Sequence, residues 1–229
     1  MNPMREERIQ PSLSAQNSAV VRGPLALGRR AIRIFIAFFL GQGALQGIQI
    51  LVGLFLVREL SIEAYAQFGL AYGFQLTMDS LMNFGFTSTI VPLIGGRRED
   101  RQLVGRYVRS AKHWRDRSFW TLAPFATIAF LTIMYKHHWG WGVQIALVVS
   151  VLVSLYSSGK VAYFSAPLFV FGRLREFYVP QTISAVGRLI AYVACSIAGI
   201  LSSWIAAALS ALNVTLNGVF LEKEARRLF

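Results

Sequence analysis

"LSIEAYAQFGLAYGFQLTMDSLMNFGFTST", residues 60–89, is almost wholly apolar, yet it carries Asp79 near its middle and contains no basic residue. A run this long suits a bilayer, where roughly 20 residues at 1.5 Å each cross ~30 Å of hydrocarbon. A carboxylate in such a run requires a partner or a hydrated cavity, because placing one at the bilayer centre costs at least ~2.5 kcal/mol.

The rest of the chain repeats the pattern. Of its 229 residues 55% are hydrophobic and 15% charged, with a mean hydropathy of +0.49. A soluble domain is typically about 25% charged. Apolar windows predict an all-α polytopic membrane protein, a bundle of six transmembrane helices at about 32–57, 62–94, 119–135, 143–171, 177–201 and 204–221. The second window is long for one span, and Gly85, after Asn83 and Phe84, offers a point for a break or kink. Residues 1–30 hold Pro3, Pro11, Pro24 and several Ser, Asn and Arg without an apolar signal region, so they read as a disordered basic cytoplasmic tail ahead of a membrane lobe at 31–229. The first span then acts as an uncleaved insertion signal. The lone Cys195 falls inside a predicted span, which excludes an intramolecular disulfide.

Orientation follows from the basic residues. Of the 23 Lys and Arg, nineteen fall in the tail, the loops after the second and fourth spans, and the C-terminal segment. The opposite side has Arg58 and Lys136, while Lys160 and Arg188 lie within spans. Without the distant Arg5 and Arg8 the bias is seventeen to two, which places both termini in the cytoplasm by the positive-inside rule. The outer "KHHWGWG" supplies Trp139 and Trp141 for an interfacial belt, and His137 and His138 lack the further ligands a metal site needs. In the long inner loop an amphipathic helix at about 99–115 gathers Leu103, Val104, Tyr107, Val108, Ala111 and Trp114 on one side with arginines around the rest. Such a helix is expected to lie on the anionic inner leaflet, and membrane lipids rather than nucleic acid account for the net charge of +12.

Polar residues recur at helical spacing on five of the six helices. The second carries Tyr65, Tyr72, Gln75, Asp79 and Asn83 within one arc, and the first carries Gln42, Gln46 and Gln49 beside a GxxxG face of Gly43 and Gly47. The fourth offers Ser150, Ser154, Ser157 and Lys160, the fifth Gln181, Ser184, Arg188, Tyr192 and Cys195, and the sixth Ser203, Ser210, Asn213 and Asn217. The third helix has only scattered threonines and is expected at the lipid-facing periphery. Hydroxyls and amides in such stripes ordinarily bond across to neighbouring helices at ~0.6 to 2 kcal/mol each. Asp79, Lys160 and Arg188 are different, because ionisable groups at this depth face a cavity or one another. Two readings stay open: Asp79 pairs with Arg188 or Lys160 to hold the bundle, or it takes up a coupling proton. Two embedded cations against one anion, with Arg173 and Arg175 at the inner mouth, suit an anionic cargo such as a phosphate.

From Leu45 to about Ile94 the sequence resembles the polysaccharide-exporter branch of the multidrug/oligosaccharidyl-lipid/polysaccharide flippase superfamily, which includes O-antigen repeat-unit flippases. The matching residues are Arg58, Glu59, Leu60, Ser61, Glu63 and Tyr65 at the turn closing the first helix, and "NFGFTSTI" from Asn83 to Ile90 at the end of the second. Ala66 replaces the usual glycine after the tyrosine, and Asn83 the usual aspartate, so a divergent member is implied. The resemblance implies one six-helix lobe of a flippase-type transporter in a bacterial cytoplasmic membrane, rocking against a second six-helix lobe, since the chain stops at "EKEARRLF" where the inter-lobe linker begins. It implies no enzyme and no cofactor. The implied cargo is a polyprenyl-diphosphate-linked oligosaccharide, with its diphosphate on Arg188 and Lys160, its sugars on Gln42, Gln46, Gln49 and Asn213, and Asp79 balancing charge or coupling an ion. A lipid II flippase or drug/cation antiporter of the same superfamily, or a non-transporting assembly subunit of envelope polysaccharide machinery, is the alternative.

Overall fold

The computed structural model describes residues 24–83 and 101–228, which contain six α-helices and no strand. They are α1 (Pro24–Glu59), α2 (Ile62–Asn83), α3 (Arg101–Lys136), α4 (Trp141–Val170), α5 (Leu174–Ile197) and α6 (Ser203–Arg226). The protein is all-helical, and four helices are long and apolar enough to cross a membrane: α1 over Phe38–Glu59, α3, α4 and α6. The described lengths of α2 and α5, 22 and 24 residues, also suffice. Their apolar content is diluted by polar residues, Gln67, Gln75 and Asp79 in α2 and Gln181 and Arg188 in α5. The last part of the expected second span, with Gly85, lies outside the described residues.

Local chemistry fixes the helix ends. α1 begins at Pro24, inside the stretch expected as tail, and proline suits a first helical position because its missing N–H has no partner there. Ser61 Oγ accepts from the Ala64 N–H to cap α2. Gly172 and Gly199 adopt φ of 68° and 67°, and the N–H groups of Arg173 and Ile200 then close onto the carbonyls of Leu168 and Cys195. These left-handed closures turn α4 into α5 and α5 into α6 within a few residues.

The inner-loop helix and the third span, expected as separate elements, are one continuous helix of 36 residues, α3. The cause is a stripe running through the predicted boundary: Val104, Val108, Ala111, Arg115, Phe119, Ala123, Ala126, Phe130 and Met134 are all buried. The amphipathic segment therefore stands in the bundle rather than lying apart from it. The opposite face of α3 exposes Trp120, Phe125, Ile128 and Tyr135.

By contacts the chain divides between Leu40 and Gly41. From Gly41 onward α6 runs parallel to α4, Ser157 meeting Thr215 and Lys160 meeting Glu222, and α3 runs antiparallel to α2, Phe74 meeting Phe130 and Asp79 meeting Arg115. The broadest packing is between α4 and α6. A Cβ on Gly218 of α6 would stand 3.2 Å from Lys160 Cβ and 3.3 Å from the Ser157 carbonyl, and Ala207 and Ala211 of α6 are also buried. Three apolar clusters fill the bundle. One joins Val104 and Val108 of α3 to Phe164 and Leu168 of α4 and Leu221 and Ala225 of α6. A second joins Met82 of α2, Phe130 and Met134 of α3, and Leu147 and Leu155 of α4. The third sets Val52 and Leu56 of α1 against Tyr192 of α5 and Ala206 of α6. The GxxxG face departs from expectation: among the described residues a Cβ on Gly43 or Gly47 would meet nothing within 4 Å, whereas a Cβ on Gly41 would stand 2.7 Å from the Tyr178 ring.

Candidate functional site

α1, α2, α5 and α6 together line a cleft of about 310 Å³. Its polar wall consists of Gln46 and Gln49 of α1, Tyr65 and Tyr72 of α2, Arg188 of α5 and Ser210 of α6. Helical spacing assembles it, since Gln46 and Gln49, and Tyr65 and Tyr72, sit one and two turns apart on their helices. Tyr192, one turn beyond Arg188, is buried and fixes the α5–α6 contact, its hydroxyl 2.9 Å from the Ala206 carbonyl and 2.8 Å from Ser210 Oγ. Among the described residues no carboxylate lies within ion-pair distance of Arg188, and its Nε is buried without a hydrogen-bond partner. A guanidinium in that state offers N–H donors in fork geometry to an anion, while the amides and phenols beside it offer both donors and acceptors.

Of the residues expected to bind cargo, the structure brings Arg188, Gln46 and Gln49 together and leaves three elsewhere. Lys160 is turned to α6, its Nζ 3.7 Å from Glu222 and 5.3 Å above the Tyr156 ring. Asn213 is buried with its Oδ1 unpartnered, and Gln42 is half-buried outside the cleft lining. Much of the α6 stripe is taken up in helix-to-helix bonds, Ser203 to Gln67, Ser210 to Tyr192 and Asn217 to Ser184. That is the ordinary fate of hydroxyls and amides between membrane helices.

Asp79 pairs with neither Arg188 nor Lys160. Its partner is Arg115 of α3, whose Nη2 stands 2.6 Å from Asp79 Oδ1, with side chains 7% and 26% exposed respectively. Ser158 Oγ donates to the same oxygen, Asn83 Nδ2 donates to Oδ2 at 3.1 Å, and Arg115 also donates to the Leu155 carbonyl at 3.2 Å. Gly159 admits the guanidinium, since a Cβ there would stand 2.8 Å from Arg115 Nε. Arg115 Nε and Nη1 stay buried without partners. The sequence places Arg115 at the end of the inner-loop helix. The continuity of α3 carries it into the bundle opposite α2, and its place in the buried stripe of α3 was the available signal. Among the described residues no group of three His, Cys, Asp or Glu stands ready to hold a metal.

Compared with family models, curated proteins and solved structures, the chain matches none.

Proposed function

We propose that this chain is a transporter lobe that helps move an anionic, sugar-bearing lipid, a polyprenyl-diphosphate-linked oligosaccharide, across the bacterial cytoplasmic membrane for polysaccharide biosynthesis. One observation carries the reading: Arg188 sits unpaired in a cleft whose other polar groups are amides, phenols and a hydroxyl. A half-buried cation with no counter-charge among the described residues is costly and is retained where a ligand supplies the charge. The diphosphate takes Arg188 and the sugar hydroxyls take Gln46 and Gln49. The cleft lining contains no carboxylate, and Asp79 is spent on Arg115, so a drug/cation antiporter is disfavoured. α2 and α5 join the four apolar helices as spans, their polar faces turned inward, and the basic end of the bundle faces the cytoplasm. A second lobe, whether further chain, a split partner or a second copy, closes the far side of the cleft.

The test is transfer of a fluorescent polyprenyl-diphosphate oligosaccharide between leaflets of proteoliposomes containing the complete transporter. Arg188→Ala is expected to lower transfer at least about tenfold, the scale of one lost charged hydrogen bond, while Arg188→Lys retains part of it. Unchanged transfer by Arg188→Ala at normal protein levels removes Arg188 from the site and the reading with it.

A further inference from the structure

A second cavity lies away from the Arg188 cleft. It measures about 660 Å³ and runs between the first turns of α3 and the end of α6. Arg101, Arg106, Arg109 and Lys112 of α3 supply one wall and Arg226 of α6 another, over a floor of Val108, Phe164 and Ala225. Arg226 is held by Glu222, its Nη2 2.6 Å from the carboxylate. The four cations of α3 are in no ion pair with any carboxylate among the described residues. The four residues ahead of Arg101 in sequence, Arg97, Arg98, Glu99 and Asp100, add no net charge. Four cations with no carboxylate partner among the described residues, and a fifth shared with Glu222, thus border a groove with an apolar floor. Solvated basic faces are common on helices, but they lie on convex surface, whereas this one is concave and walled on two sides.

We infer that this groove is a binding site for a membrane-lipid headgroup bearing two phosphates. Three features carry the inference. Cations on two walls match a ligand with more than one anionic group. Arg101 to Lys112 spans roughly 16 Å along the helix, more than a single phosphate fills. The floor of Val108, Phe164 and Ala225 gives the lipid's hydrocarbon a surface to follow, and a free anion has no use for it. Basic pockets between helices at the cytoplasmic face of membrane proteins are physically suited to such headgroups. The site does not depend on transport. It lies on other residues than the cleft, and its occupant holds α3 to α6 at the basic end.

The experiment is lipid retention by the full chain in phosphatidylcholine nanodiscs doped with diphosphatidylglycerol or with phosphatidylglycerol at equal total charge, read by native mass spectrometry. Diphosphatidylglycerol is expected to be retained at least about tenfold better. Arg106→Gln with Arg109→Gln is expected to abolish that preference, both residues being exposed and free of structural partners. Arg117→Gln with Lys223→Gln removes equal charge from exposed positions outside the groove and is expected to leave the preference intact. Inorganic diphosphate at matched phosphate concentration is expected not to displace the lipid. Equal retention of the two lipids, equal loss in both variant pairs, or displacement by inorganic diphosphate overturns the inference.

Discussion

Asp79 and Arg115 each depend on the other to remain charged among apolar neighbours. Removing one partner leaves the second buried and uncompensated, at a cost of about 3 to 5 kcal/mol, whereas replacing both with apolar side chains of similar volume is often neutral. Arg115→Ala and Asp79→Ala are therefore each expected to lower stability severely, and Asp79→Leu with Arg115→Met to recover most of the loss. Unfolding of the four proteins in one detergent measures the coupling, and strictly additive losses contradict it. Asp79→Asn separates pairing from proton uptake: a fall in abundance marks the structural partner, while normal abundance with transport insensitive to the proton gradient marks the coupling group. That Asp79 requires a partner or a hydrated cavity is legible from its place in an apolar run. Which partner it takes is not, because the "RDR" at 115–117 reads as an interface and helical phase alone does not say which neighbour a face meets. Lys160 was misassigned for the same reason: its own stripe gives no hint of Glu222.

At the scale of elements, contact between helices is decided by where backbones come close. Gly218→Val drives a side chain into the Ser157 carbonyl and Lys160 across the α4–α6 seam, and Gly159→Val displaces Arg115; each is expected to cost about 1 to 3 kcal/mol, the range for overfilling a packed interior. Gly43→Ala and Gly47→Ala are expected to stay within about 0.5 kcal/mol of the parent, since a Cβ at either meets nothing in the described residues. Thermal denaturation of the four single variants distinguishes the two classes, and a large loss at Gly43 or Gly47 would reveal a neighbour on that face. The GxxxG spacing in α1 was plain in the sequence and its partner was not, because a small-residue motif states only that a face permits close approach. Helix positions were readable from apolar windows, and the turns after α4 and α5 carry their glycines where left-handed closure requires them. The α3 boundary was missed because charge density outweighed a buried periodicity that runs unbroken from Val104 to Met134.

For the whole molecule, the arginine bias predicts one orientation, with position 106 cytoplasmic and position 138 outside. Cysteines introduced at positions 106 and 138 in a Cys195→Ser background are expected to react with a membrane-impermeant thiol reagent only from the cytoplasm and only from outside, respectively. Labelling of position 138 from the cytoplasm reverses the orientation. That the described residues form six helices was legible from composition and spacing, whereas the division of the interior into a cleft and a separate ion pair was not, since it depends on which stripes face each other. The 36 residues of α3 have a further mechanical consequence. A straight helix of that length measures about 54 Å, against ~30 Å of hydrocarbon. Only the stretch at about 119–135 is apolar, about 26 Å of it, so a bilayer would grip the helix by its second half and leave the basic first half outside. Arg115, about two fifths of the way along, stands just before the apolar half begins, so its ion pair with Asp79 fastens α3 to α2 at the junction of the two halves.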